Sequence, residues 1–157
     1  MSFMKLCKVV SGGQTGADIA GLMAAKSCGL ETGGWMPKGC KTSEGSHRDW
    51  LITYGMQEHT GGYAERTEAN VRDSDATIRL ANDFYSPGEI CTLRALKFFE
   101  RPFLDIDMNE PRDIDDVIVW IMLHDTEVLN IAGNTERASS PIQDKVYNYL
   151  LQVFKKE

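Results

Sequence analysis

The string Ser11-Gly12-Gly13-Gln14-Thr15-Gly16 constrains this chain most, because it directly follows an apolar run, Lys5 to Val10, and directly precedes a helical pattern from Ala17 to Cys28. A strand that must reverse into a helix within a few residues needs positions without a Cβ. A helix start also carries unpaired N–H groups and a partial positive charge, which a bare backbone lets an anion approach. Gly12, Gly13 and Gly16 supply that access, with Gln14 and Thr15 between them. The spacing is neither G-x-x-x-x-G-K-[ST] nor G-x-G-x-x-G, which argues against phosphate cleavage in the manner of an ATPase and against ordinary dinucleotide binding. Two readings stay open: a tight strand-to-helix turn, and a seat for the phosphate or other anionic end of a small ligand.

Beyond the turn, strands and helices alternate without repeats, the pattern of a mainly parallel sheet covered by helices on both faces. Strands are expected near 31–35, 75–81, 102–106 and 128–132, which with the first makes about five. Helices are expected near 64–72 and 89–99, then where Ile114, Val117, Ile118 and Ile121 follow i, i+3, i+4, i+7 behind an Asp113 N-cap, and last where Ile142, Val146, Leu150 and Val153 share a face. Ser140-Pro141-Ile142-Gln143 reads as a capping box with proline at the first helical position. The segment 36–62 is longer than ordinary connections and is rich in polar, aromatic and basic residues. It is expected to be an ordered lid with a short strand at 51–54.

A length of 157 residues fits one domain, 1–157. A net charge of −6 offers no general attraction to nucleic acid or to an anionic membrane. No apolar run is long enough to span a bilayer, and Met1 to Lys5 leads into no signal-peptide core, so a cytoplasmic protein is expected. Four cysteines without a C-x-x-C pair and three scattered histidines predict reduced thiols and no protein-built metal site.

In a parallel sheet every strand-to-helix junction lies along one edge, the carboxyl ends of the strands, where ligands bind. The loop with Ser86 and Gly88 and the loop with Gly133, Asn134 and Arg137 are therefore expected to converge with the glycine turn. Arg137 reads either as a phosphate fork or as a solvated cation. Asp18 complements a helix dipole but repels phosphate. Within a pocket it suits a ligand hydroxyl or amino group, or a water-bound Mg²⁺. Arg66 and Asn70 lie four residues apart beside Thr67, making one hydrogen-bonding face on a helix that otherwise reads as solvated.

The strings Ser11-Gly12-Gly13-Gln14-Thr15-Gly16-Ala17-Asp18, Gly33-Gly34-Trp35-Met36-Pro37-Lys38-Gly39, Tyr63 to Asp75 and Asn130-Ile131-Ala132-Gly133 together resemble the molybdenum-cofactor carrier family, in order and over nearly the whole chain. The resemblance implies a Rossmann-like, doubly wound fold related to the lysine-decarboxylase-like phosphoribohydrolases, homo-oligomers, and binding of molybdenum cofactor (molybdopterin), a phosphate-bearing small molecule. By the same resemblance the Gly12 to Thr15 turn, Lys38, Arg66, Thr67 and Asn70 become ligand contacts. Phosphoribohydrolases carry P-G-G-x-G-T-x-x-E, whereas this chain has Pro87-Gly88-Glu89-Ile90-Cys91-Thr92-Leu93-Arg94-Ala95, without two of the glycines and without the catalytic glutamate. A non-catalytic binder is therefore expected. The alternatives are a nucleotide-processing enzyme using Asp18 or Glu89 as base, and a nucleotide-binding sensor.

Overall fold

A computed structural model describes residues 4–155. In chain order it contains β1 (Lys8–Ser11), α1 (Ala17–Ser27), β2 (Glu31–Gly33), β3 (Trp35–Met36), β4 (Lys41–Thr42), β5 (Gly45–Ser46), α2 (Asp49–Thr53), β6 (Gln57–Glu58), α3 (Tyr63–Arg72), β7 (Ala76–Ala81), α4 (Pro87–Phe99), β8 (Phe103–Asp107), α5 (Ile114–Leu123), β9 (Val128–Gly133), α6 (Glu136–Ser139) and α7 (Ile142–Lys155).

Five of these strands form a parallel sheet in the order β2-β1-β9-β7-β8. A parallel sheet is covered on both faces, and all six residues of β7 are buried accordingly. Helices α1, α5 and α7 pack together and close the main core around Val9, Leu22, Ile78, Ile131 and Leu150. Helices α3 and α4 pair through a smaller cluster of Val71, Ala95 and Leu96. The result is the doubly wound α/β fold expected.

Local chemistry moves several boundaries. The second strand stops at Gly33, because Gly34 sits at φ +116° and a Cβ there would lie 2.3 Å from Ser11 O. Trp35 and Met36 then leave the main sheet to pair with β6. The strand expected at 51–54 is instead part of α2: Tyr54 N–H donates to Trp50 O, and Trp50, Leu51 and Tyr54 pack on the core from a helical turn. Helix α4 starts at Pro87 rather than Glu89, since proline at the first helical position forgoes an N–H that would be unpaired anyway. Asp113 caps α5 as expected, accepting from Asp115 N–H at 2.8 Å.

The capping box at Ser140–Gln143 does not form. Glu136 of the short α6 takes its place, accepting from Ser140 Oγ and from Gln143 N–H. The Gln143 side chain is thereby free to accept from Gly16 N–H at 3.1 Å, so the last helix holds the first turn.

Candidate functional site

The carboxyl edge of the sheet opens into a cavity of about 500 Å³. Its walls come from the turn after β1, from α3, from the start of α4 and from the end of β9, the convergence that parallel topology requires. Ala64, Pro87, Ile131, Ala132 and Ala138 make much of the wall apolar, and three charged side chains, Asp18, Arg66 and Glu89, are buried within it.

Arg66 is the one cation among the described residues of this wall. Its guanidinium donates to Tyr63 O and Gly12 O and lies 3.6 Å from Asp18 Oδ2. Nη2 has no protein acceptor among the described residues, yet is not among the sealed, unpartnered atoms, which are Asn82 Oδ1, Arg101 Nε and Thr126 Oγ1. Asp18 accepts from Gln14 N–H at 3.2 Å. Burial pushes its carboxyl up to about 6, against the pull of Arg66 and the Gln14 amide and with a push from Glu89. Glu89 is likewise raised, chiefly by burial, while Ser86 Oγ and Asn134 Nδ2 donate to its Oε2 and oppose the rise.

Of the residues singled out in the sequence, the fold brings Gly12, Gln14, Asp18, Arg66, Thr67, Asn70, Ser86, Gly88 and Gly133 to the cavity wall. Asn70 spends its amide on the backbone, receiving Trp35 N–H and donating to Trp35 O, and so pins β3 to α3. Five others lie elsewhere. A Cβ on Gly13 would meet Met36 and Met56 at 2.9 Å, so this glycine faces the packing and not the cavity. Thr15 bonds Ser43, and Gly16 packs against the backbone of Asn134 to Glu136. Lys38 and Arg137 are exposed and outside the cavity wall.

The turn itself differs from the open nest that its glycines predict. Its amides are engaged internally: Gly13 to Ser11 Oγ, Gln14 to Asp18, Thr15 to Gln14 Oε1, Gly16 to Gln143 and Ala17 to Asn134 O. The Asp18 carboxylate takes the place that a ligand anion would hold, with charge-assisted hydrogen bonding in a buried setting. Segment 36–62, expected to be a lid, braces the turn from the other side: Ser43 N–H donates to Gln14 Oε1, and none of its residues lines the cavity. Sequence reasoning passed over Cys91, Thr92 and Asn130, which also line the cavity. The i, i+3, i+4 spacing of Gly88, Cys91 and Thr92 on α4 was the signal available. The glutamate position of the hydrolase string is Ala95, packed within the α3–α4 cluster.

A family model described as the circularly permutated YpsA SLOG family matches residues 9–154. A crystal structure described as a "Putative molybdenum carrier protein" from Syntrophus aciditrophicus SB is similar at 34% sequence identity, with 96% of each chain covered and a TM-score of 0.86. No curated protein matches the chain. A match spanning all five strands of the main sheet, joined to a solved relative with the same doubly wound architecture, gives the family: this chain belongs to the circularly permuted YpsA SLOG family.

Proposed function

We propose that this protein binds and carries a phosphate-bearing small molecule in the cavity at the carboxyl edge of its sheet, molybdenum cofactor being the ligand to which its relative's description points. The observation that carries the reading is Arg66: a guanidinium 7% exposed, on the wall of a ligand-sized cavity, with one nitrogen lacking a protein acceptor. Burying a cation without full pairing is costly, and a ligand anion supplies the missing partner. A cavity of this volume lies in the range that holds drug-sized ligands. The pterin of molybdenum cofactor presents N–H donors that suit Asp18 and Glu89, and its phosphate suits Arg66 together with the open backbone at Gly88. Because the amides of the glycine turn are already engaged, Arg66 is the main anion contact in this reading.

Thermal-shift titration of the full chain with ribose 5-phosphate, nucleoside monophosphates and a pterin phosphate, followed by product analysis, tests the proposal. Stabilisation without turnover is the expected result. Arg66→Gln, checked for retained fold by circular dichroism, should weaken binding of the stabilising phosphate about tenfold or more, since a charge-assisted hydrogen bond contributes about 1.5–3 kcal/mol. Unchanged affinity in that variant would remove Arg66 from the site.

A nucleotide-processing enzyme is the second reading, favoured by one observation: Asp18 and Glu89 share the cavity, and burial raises both carboxyls from their ordinary values, the direction that suits a general acid or base. Release of free base from a nucleoside monophosphate would decide for it.

A further inference from the structure

Helix α4 opens on Ser86-Pro87-Gly88-Glu89, the S-x-x-E spacing of a capping box. A capping box turns the serine oxygen to the amide three residues on, and Ser86 makes no such bond. Its hydroxyl instead donates to Glu89 Oε2. Asn134, just past the end of β9, donates to the same oxygen at 2.9 Å, and Glu89 and Asn134 are both 3% exposed. A hydroxyl bonded to a carboxylate that a third polar group holds in place is the arrangement that activates a weak serine nucleophile. All three side chains line the cavity. Burial raises the Glu89 carboxyl, against Ser86, Asn134, Arg79 and its own amide, which makes the carboxylate a stronger base. Two further features complete the wall. Pro87 has no N–H, so the first amide of α4 is that of Gly88, which has no acceptor among the described residues. A Cβ on Gly88 would meet nothing within 4 Å, so an oxygen can approach this helix start, where developing negative charge is stabilised. Arg66, nine-tenths buried with Nη2 lacking a protein acceptor, suits an anionic group elsewhere on the same molecule.

We infer that Ser86 is a nucleophile and Glu89 its general base, in an acyl-transfer site for carboxylic esters that carry an anionic group. Glu89 Oε2 takes the Ser86 proton as Oγ bonds to the ester carbonyl carbon, and the Gly88 amide meets the oxyanion. The bond from carbon to the leaving oxygen then breaks, and that oxygen takes the proton back from Glu89 and departs as the alcohol. Water adds to the acyl-serine while giving a proton to Glu89. The carbon–Oγ bond breaks, Oγ recovers the proton and the carboxylic acid leaves, so ester and water are all that is consumed. This activity goes beyond the carrier reading and does not depend on it, since the phosphate probes named above contain no carboxylic ester. The charged groups facing Glu89 are Arg79 from β7 and Asp18 from α1, with Arg66 of α3 on the same wall.

The test incubates the full chain with 4-acetoxy-3-nitrobenzoate, an acetate ester with a remote carboxylate, and with neutral 4-nitrophenyl acetate. Nitrophenolate release is followed by absorbance, and acetylation by peptide mass spectrometry. The expected result is a stoichiometric burst, an acetyl group on Ser86, and a preference for the anionic ester of about tenfold or more that Arg66→Gln largely removes. Ser86→Ala should abolish the burst and the acetylated peptide. Glu89→Gln should lower kcat/KM about a hundredfold or more and remove the rise of rate to a plateau as the carboxyl ionises. It serves where Ser86→Ala does not fold, with near-UV circular dichroism reporting the fold of each. A burst that persists in folded Ser86→Ala, a rate and pH profile unchanged in Glu89→Gln, or nitrophenolate release no faster than in buffer overturns the site and leaves the phosphate carrier standing.

Discussion

Burial strips most of the water from the Asp18 carboxyl, and Arg66 at 3.6 Å restores only part of the lost stabilisation, so its proton is held to about pH 6. An unfolded chain releases that proton near the ordinary value of 3.8. Between these two values the folded state binds more protons than the unfolded state, so stability from this group is fully present below the unfolded value and is lost as pH rises through about 6. The same position in Asp18→Asn does not titrate. Denaturant unfolding should therefore show the stability difference between Asp18→Asn and wild type shifting by roughly 2 kcal/mol in favour of the variant from pH 4 to pH 7, the order given by a pKa displaced from 3.8 to about 6. A difference that stays flat with pH would mean that the carboxyl is better solvated than its surroundings imply.

On α3, Arg66 and Asn70 occupy one face as their spacing predicts, but the two do different jobs. Arg66 turns to the cavity, and Asn70 clamps the backbone of Trp35 through two hydrogen bonds of 2.8 and 3.0 Å. Asn70→Ala leaves that buried pair unsatisfied and should cost roughly 2–3 kcal/mol, with a change in tryptophan emission as Trp35 loosens. An unchanged unfolding midpoint would show the clamp to be dispensable. The elements of the main sheet were legible because apolar runs and glycine turns are local signals. Segment 36–62 was not: β3 and β6 are two residues each and exist through pairing across the chain, and α2 is a single helical turn whose Trp50 and Leu51 depend on the core for their packing. The role of Gln143 was hidden for the same reason, since a capping box and a long-range bond to Gly16 use the same side chain and only tertiary structure chooses between them.

At the scale of the whole molecule, the sequence order of strands says nothing about their order in space. Strand β9 lies between β1 and β7, and Gly133 at its end is pressed so closely on β7 that a Cβ would stand 1.8 Å from Leu80 O. Gly133→Ala should therefore cost about 3 kcal/mol or more, read as a lowered midpoint of thermal unfolding. A midpoint within a degree of wild type would contradict that packing. The central place of β9 also has a consequence for the life of the nascent chain. Until residues 128–133 leave the ribosome, the β1–β2 pair and the β7–β8 pair have no common neighbour, and each presents an unpaired edge. Synthesis thus passes through a long interval in which neither half can close the sheet and the cavity has no floor, so a message cut short before this strand yields aggregation-prone fragments without the cavity.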